Sequence, residues 1–197
     1  MRDPAVGSGP STPGLWRQAQ KAPFLVLTVL ALDQLTKLLV RETVPLGESI
    51  PPEARLRITN VVNPGILFGA PASPLVSLLL PLAMILGSLA IYWRFRRSNS
   101  TLLNVGAGLF IGGTLGNLVD RVLQGQVTDF IEVVSHGGDV RTIFNVADLC
   151  IIAGIIFLEA FLIRLIIRLI RQKGLRYNPV KPAIVRIIRR RDPEEKD

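Results

Sequence analysis

The sequence has few of the residues on which most hydrolases depend. Its 197 residues include one cysteine, Cys150, and one histidine, His136. A single cysteine excludes an internal disulfide, and one cysteine with one histidine is too few for a zinc site of the usual His/Cys kind. The sequence contains no HExxH motif, no phosphate-binding glycine loop and no serine in a nucleophile elbow. These absences argue against a metalloprotease, a P-loop enzyme and a serine-triad hydrolase.

Charge is also missing from long parts of the chain. Residues 71–93 and 98–119 contain no Asp, Glu, Lys or Arg. Each stretch is long enough to cross about 30 Å of hydrocarbon at about 1.5 Å per residue. Residues 22–40 are interrupted only by one aspartate and one lysine, and a fourth apolar run covers residues 143–162. The sequence therefore predicts an all-α membrane protein built as a bundle of four transmembrane helices.

The basic residues indicate how these helices are oriented. The net charge of +8 collects before the first apolar run, between the second and third, and after the fourth. Because cytosolic loops accumulate Lys and Arg, we expect both termini in the cytosol and no nucleic-acid partner. We predict a disordered segment over residues 1–21, a membrane domain over residues 22–170 and a basic cytoplasmic tail over residues 171–197. Binding of the tail to anionic lipid heads is a weaker second interpretation.

Polar residues of the predicted spans gather near the outer ends of the helices. They are Asp33, Lys37, Asn117, Asp120, Arg121, Asn145 and Asp148. The connecting segments 41–73 and 122–142 lie on the same side, and "RLRITNVV" alternates with a period of two. We therefore expect a small β-sheet within the segment 41–73 on the outer membrane surface. A carboxylate left unpaired in lipid costs on the order of 2 kcal/mol or more, so Asp148 in particular indicates function.

Several of these features also have simpler interpretations. Asp33 and Lys37 are four residues apart, a spacing that predicts an ion pair on one helix, and a direct role in the chemistry is the alternative. Taken alone, Asp129 is typical of a solvated loop acid. A stripe of glycines spaced four apart in the third span predicts close contact with a neighbouring helix. The stripe consists of Gly108, Gly112 and Gly116.

The outer layer is rich in carboxylates and amides, which favours acid–base chemistry. Two carboxylates within a few ångströms cannot both ionise easily, so one of them keeps a proton near neutral pH. One carboxylate then acts as a base on water and the other as an acid on a carbonyl oxygen. We predict that Asp129 and Asp148 form this pair. Such a dyad at the membrane surface could cut a peptide bond that emerges from the bilayer.

Five stretches in order make the chain similar to the lipoprotein signal peptidases, the type II signal peptidase family of intramembrane aspartic proteases. They are "DQLTK" (33–37), "NPGILFG" (63–69), "GGTLGNLVDR" (112–121), "VTDFI" (127–131) and "FNVAD" (144–148). The resemblance implies that Asp129 and Asp148 are the catalytic residues. It implies that the dyad or the substrate is supported by Asn63, Asn117, Arg121 and Asn145. We expect mainly structural roles for Asp33, Lys37 and Asp120.

The resemblance also implies a substrate and a location. The family cuts bacterial prolipoproteins just before a diacylglyceryl-modified cysteine, so we expect such precursors and membrane lipids as partners and no metal or organic cofactor. We expect a monomer in the bacterial inner membrane with its active site near the outer face. The chain departs from the family pattern at Val62, where arginine is frequent, and at Ile66-Leu67, where two alanines are frequent. An aromatic residue common shortly before the "FNVAD" motif is also absent.

A small proton-coupled membrane transporter is the alternative function, because intramembrane aspartates also occur in transporters. Transporters need polar residues at mid-membrane depth with access from both sides. The second and third predicted spans are apolar through their centres. The sequence therefore favours the peptidase over the transporter.

Overall fold

A computed structural model describes residues 21–65, 73–98, 100–135 and 141–176, with side chains through Gln172. Most of the predicted N-terminal segment (1–21) and most of the predicted tail (171–197) lie outside these residues. The chain divides into two compact units, residues 1–159 and 160–197. The described part of the second unit is helical from Ala160 to Arg176. All the residues of the candidate site belong to the first unit.

Four long helices form most of the described chain. They are α1 (Lys21–Thr43), α2 (Pro74–Phe95), α3 (Thr101–Gln124) and α4 (Val146–Arg176). All of them contain stretches long and apolar enough to cross a membrane, so the prediction of four spans is confirmed. The predicted start of the fourth span near Ile143 is wrong, because that residue belongs to a β-strand and the helix begins at Val146.

A four-stranded antiparallel sheet is formed by the segments that connect α1 to α2 and α3 to α4. Its strands are β1 (Ser49–Ile50), β2 (Leu56–Asn63), β3 (Val127–Val134) and β4 (Arg141–Phe144), paired in that order. The small sheet predicted in the segment 41–73 is confirmed for β1 and β2. Strands β3 and β4 extend it beyond the prediction. The alternation expected in β2 is broken by a bulge between Ile58 and Val61, where Thr59 and Asn60 are both buried.

Helix α3 is the central helix of the bundle. Within its apolar window 67% of the residues are buried, against 22% or fewer in the other three helices. Glycines let its neighbours approach closely: a methyl group added at Gly112 would lie 2.8 Å from Cβ of Val29 in α1. A methyl group added at Gly106 would lie 2.9 Å from Cγ of Leu158 in α4. The predicted stripe of Gly108, Gly112 and Gly116 therefore faces α1, and a second stripe of Gly106 and Gly113 faces α4.

Candidate active site

The "FNVAD" motif begins helix α4 and fixes Asp148 in its first turn. Asn145 is the residue before the helix, and its Oδ1 accepts a hydrogen bond from the Asp148 backbone N–H at 2.9 Å. In return, Oδ2 of Asp148 accepts from the Asn145 backbone N–H at 3.1 Å. This reciprocal pair has the geometry of a capping box. Asp148 therefore lies at the end of the helix where the backbone dipole favours negative charge.

Asp129 reaches the same place from strand β3. It lies opposite Val61 of β2 and is 4% exposed. Its Oδ1 accepts a hydrogen bond from Nδ2 of Asn145 at 2.7 Å, and its Oδ2 accepts from Nδ2 of Asn63 at 2.9 Å. Asn145 therefore bonds both aspartates, one through its side chain and one through its backbone. The fold brings together two residues that lie on different elements and that the sequence predicts as a pair.

Asn117 of α3 supports the other side of the pair. Its Nδ2 donates to Oδ1 of Asp148 at 2.8 Å, and its Oδ1 accepts from Nδ2 of Asn145 at 3.1 Å. Both carboxyl oxygens of Asp148 therefore accept hydrogen bonds, as do both oxygens of Asp129. The pair is held by amides and backbone N–H groups from α3, α4 and β2.

The surroundings of Asp129 favour its protonated form. Burial raises the pKa of Asp129 from its ordinary 3.8 to about 6. The hydrogen bond from Asn63 opposes this rise, and the neighbouring charge of Asp148 adds to it. Asp129 therefore keeps a proton to much higher pH than an exposed aspartate does, as an acid catalyst must.

A buried ionic cluster lies behind the two aspartates. Nζ of Lys37 lies 2.8 Å from Oδ2 of Asp33 and 3.0 Å from Oδ2 of Asp120, and all three side chains are fully buried. The same ammonium donates to Oδ1 of Asn117 at 2.9 Å. The predicted Asp33–Lys37 ion pair is therefore confirmed. The sequence did not indicate that Asp120 completes it or that Asn117 connects it to Asp148.

The acids of this cluster also join the elements that carry the catalytic pair. Oδ1 of Asp33 accepts from the backbone N–H of Ala147 at 3.0 Å, which attaches α1 to the first turn of α4. Oδ2 of Asp120 accepts from the backbone N–H of Thr128 at 3.1 Å, which attaches α3 to the residue before Asp129. Gln34 donates to Oδ1 of Asp120 at 3.1 Å. These bonds fix the position of α4 and β3 relative to α1 and α3.

A cavity of about 250 Å³ adjoins the two aspartates, Asp129 and Asp148. Its polar lining includes Asn63, Asn117, Arg121, Asp129 and Asp148. Most of the remaining lining is apolar and includes Leu80 and Met84 of α2 and Leu149 and Ile152 of α4. The arrangement places two carboxyl groups against a space suited to an apolar ligand with a polar bond at one end.

The family model for signal peptidase (SPase) II matches residues 25–164. The chain belongs to the signal peptidase II family. The matched region contains all nine residues that the sequence predicts for the site. It also contains the complete four-stranded sheet.

Named relatives and solved structures agree with this membership. The lipoprotein signal peptidase of Geobacillus thermodenitrificans is 37% identical over 136 residues, which cover 68% of this chain and 84% of the relative. The lipoprotein signal peptidase of Bacillus subtilis is 35% identical over 143 residues, which cover 71% of this chain and 92% of the relative. A solved structure of a bacterial membrane enzyme, determined by the in meso method, superposes with a TM-score of 0.64 at 26% sequence identity. The superposition covers 74% of this chain and 88% of that enzyme.

Membership of the signal peptidase II family settles the broad predictions made from the sequence. The predicted family, its protease activity and the four-helix membrane fold are confirmed. The protein is a multi-pass membrane protein. The transporter interpretation receives no support from any of these similarities.

Arg121 connects the start of the predicted "NPGILFG" segment to helix α3 beside the two aspartates. Its Nη2 donates a hydrogen bond to the backbone oxygen of Gly65 at 2.9 Å, and its Nη1 donates one to the backbone oxygen of Asn117 at 3.3 Å. Among the described residues, Nε of Arg121 is a buried side-chain nitrogen without a hydrogen-bond partner. Arg121 also lines the cavity. Residues 66–69 of the segment, including Ile66-Leu67, lie outside the described residues.

The described part of the chain shows no group of three or more His, Cys, Asp or Glu placed to hold a metal ion. The residues that the sequence analysis missed are Gln34 and Thr128. Gln34 lies inside the "DQLTK" motif, and its polarity within an apolar span is a usable signal. Thr128 contributes through its backbone N–H, for which the sequence carries no signal.

Proposed function

We propose that this protein is a membrane-embedded aspartic endopeptidase that removes the signal peptide from bacterial prolipoproteins. The cut falls just before the diacylglyceryl-modified cysteine. The observation that carries the proposal is that Asp129 and Asp148, joined through Asn145, lie against one largely apolar cavity. Membership of the signal peptidase II family supports the substrate class.

The two aspartates have different tasks in this mechanism. Asp148, bonded by Asn117 and by the backbone of Asn145 at the start of α4, acts as the base and takes a proton from a water molecule. The water oxygen forms a bond to the carbonyl carbon of the scissile peptide, while protonated Asp129 gives its proton to the carbonyl oxygen. The raised pKa of Asp129 supports this division.

The tetrahedral intermediate then collapses. The carbon–nitrogen bond breaks, Asp148 passes its proton to the leaving nitrogen, and a hydroxyl of the intermediate returns a proton to Asp129. The products are a free carboxylic acid on the signal peptide and a free amine on the lipidated cysteine. The pair ends in its starting protonation state, so no further reactant is required.

The polar residues around the pair hold it and contact the substrate. Asn117 and Asn145 keep N–H donors on the two carboxyl groups. Asn63 bonds Asp129 and also accepts from the Gly65 backbone N–H at 2.9 Å, so it couples the turn to the acid. Arg121 lines the cavity and presents its guanidinium charge to the substrate. Asp33, Lys37 and Asp120 stay behind the pair and do not line the cavity.

We further propose that the site lies at the outer face of the bacterial inner membrane, with both termini in the cytosol. Arg94 lies in the last turn of α2, and Arg96 and Arg97 follow it in the connection to α3, whereas the sheet is formed by the connections at the other ends of these helices. Such a basic cluster is typical of a cytosolic loop. Apolar side chains such as Leu79 and Ile156 are exposed on the outside of the helices, as contact with lipid requires. We expect the protein to act as a monomer.

This orientation is tested with single cysteines in a Cys150→Ala background. Glu48→Cys, near the sheet, should react with an impermeant thiol reagent added outside intact cells. Arg97→Cys should react only after the cells are opened. The reverse pattern would contradict both the orientation and the outer-face site.

The activity is tested with purified protein and a synthetic precursor peptide carrying a diacylglyceryl cysteine. Mass spectrometry should show one cut, immediately before that cysteine, and a matched peptide with an unmodified cysteine should be cut far more slowly. Asp148→Asn should remove the activity, whereas Glu48→Gln, the same change at an exposed acid, should keep it. Cleavage of the lipidated peptide by Asp148→Asn at the normal rate would refute the proposal.

A further inference from the structure

Lys37 has more hydrogen-bond partners than its ion pair with Asp33 alone. A lysine ammonium has three N–H donors, and Lys37 has three acceptors at 2.8–3.0 Å: Asp33, Asp120 and Asn117. The side chain is fully buried. Its charged end is therefore restricted to one position, with one donor directed at the amide of Asn117.

That donor determines the orientation of the Asn117 side-chain amide. A side-chain amide can rotate by about 180°, which exchanges its oxygen and its NH2 group. In the observed orientation the oxygen faces Lys37 and the NH2 group faces Asp148. After a rotation, an NH2 group would face the ammonium and an oxygen would face the carboxylate. Both contacts would be repulsive, so Lys37 excludes the rotated state.

We propose that Lys37 is a positioning residue for the catalytic pair: by fixing the Asn117 amide, it keeps an N–H donor on Asp148. This inference rests on the proposed function and extends it, because it assigns to the first helix a role in the chemistry. Lys37 does not line the cavity and makes no hydrogen bond to Asp129 or Asp148 among the described contacts. Its charge acts on Asp129 from a distance, and its bonded route to the pair is the amide of Asn117.

The inference predicts a change in the pH dependence of the reaction. When the Asn117 donor is lost, the ionised form of the pair is less stable, and the enzyme takes up an inactivating proton at higher pH. The other charges around the pair are fixed by their own partners. They are Asp33 and Arg41 of α1 and Asp120 and Arg121 of α3.

The test uses a paired variant that keeps the other functions of the cluster. Lys37→Met alone would leave two buried acids without their cation, which favours unfolding. Combining it with Asp33→Asn removes one of these acids and keeps an oxygen for the Ala147 N–H. With the lipidated precursor peptide, the acid side of the kcat/KM profile should move up by on the order of one pH unit. The kcat should fall about 10-fold or more with little change in KM.

Arg41→Gln is the matched control. It removes another cation near Asp120, at 3.8 Å, but one with no hydrogen bond to Asn117. Its pH profile should be that of the unchanged enzyme. A paired variant that loses folded protein but keeps the normal profile would overturn the inference and leave Lys37 a purely structural residue.

An additional series excludes an effect that bypasses Asn117. In an Asn117→Ala background, the paired change should shift the profile much less than it does in the unchanged enzyme, because only the distant charge of Lys37 on Asp129 then remains to be removed. A second shift of the same size would overturn the inference. Lys37→Arg, which retains a buried donor and charge, should keep the normal profile even where its thermal stability is lower. Failure of the unchanged enzyme to cut the lipidated peptide would instead refute the proposed function itself.

Discussion

Strand β3 carries two buried carboxyl groups with opposite surroundings. Asp129 and Glu132 are 4% and 0% exposed, and their odd spacing places them on opposite faces of the strand. Arg57 binds Glu132 with two hydrogen bonds of 2.8 Å, and Thr59 adds a third donor. Asp129 receives its hydrogen bonds from two neutral amides, those of Asn63 and Asn145.

The partners decide what each acid can do. The hydrogen bonds and charge of Arg57 hold the pKa of Glu132 at about 2, below its ordinary 4.5, whereas burial without a bonded cation raises that of Asp129 to about 6. Glu132 is therefore ionised at every physiological pH and joins β2 to β3. Asp129 can exchange a proton near neutral pH. Strand β3 thus carries one acid bonded to a guanidinium and one bonded only to amides, and the guanidinium accounts for the difference between their pKa values.

The largest expected effect comes from removing the reactive acid. Asp129→Asn should lower kcat by about 10³-fold or more, because an amide can neither give nor take the proton. The protein should stay folded, since an amide occupies the same space. Glu132→Gln is the matched change on the same strand and should keep most of the activity. Comparable loss in the two variants, measured with the lipidated precursor peptide, would contradict the division of roles.

A smaller effect is expected from the packing that holds the ionic cluster behind the dyad. A methyl group at Gly116 would lie 3.0 Å from Cγ of Asp33, with its carboxylate oxygen closer still. Gly116→Ala should therefore displace Asp33 and lower kcat about 10-fold, together with thermal stability. Gly87→Ala in α2 is the control, because nothing lies within 4 Å of the added methyl group. Equal behaviour of the two variants in activity and thermal unfolding would show that the cluster tolerates displacement.

The parts of this site that the sequence predicts are those with a local signature. Charge-free runs define the spans because lipid excludes charge over a fixed thickness. Asn145 and Asp148 belong to a helix start whose spacing is visible in the sequence. Asp129 was chosen as the partner of Asp148 because both lie in the outer layer rich in carboxylates and amides, and the resemblance to a family implies the same pair. As an isolated acid it would have been assigned to a solvated loop.

The parts that the sequence does not predict depend on distant partners. In β3, residues Val127 to Phe130 are buried on both faces, so the alternation that reveals a surface strand is missing. The role of Asp120 depends on how α1 lies against α3, which the glycines permit but do not specify. The burial of Glu132 depends on an arginine 75 positions earlier in the chain. No local pattern records such pairings.

Replacing Glu132 should lower the thermal stability of the protein with little effect on its activity. Glu132→Gln leaves the guanidinium of Arg57 without its anion and removes the ion pair between β2 and β3, although their backbone pairing remains. We expect the midpoint of thermal unfolding to fall by about 5 °C at pH 7, with kcat within a few-fold of normal. Glu53→Gln, at an exposed acid on the same side of the protein, should leave the midpoint unchanged. A normal midpoint in Glu132→Gln would show that the ion pair between Arg57 and Glu132 adds nothing to the stability of the fold.

The smallest expected effect is on the pH dependence of stability, where the two acids should act with opposite sign. The folded-state pKa of Glu132, about 2, lies below its ordinary 4.5, so its contribution is fully present above pH 4.5 and disappears as the pH falls towards 2. The folded-state pKa of Asp129, about 6, lies above its ordinary 3.8, so ionisation of Asp129 weakens the fold as the pH rises through 6. Asp129→Asn should therefore unfold about 3 °C higher than the unchanged protein at pH 8 and show little difference at pH 4. Glu132→Gln should show its deficit at pH 7 and lose it progressively as the pH falls from 4.5 towards 2. Thermal unfolding of the three proteins in one detergent between pH 3 and 8 measures both slopes, and slopes of the same sign would show that the two acids share one environment.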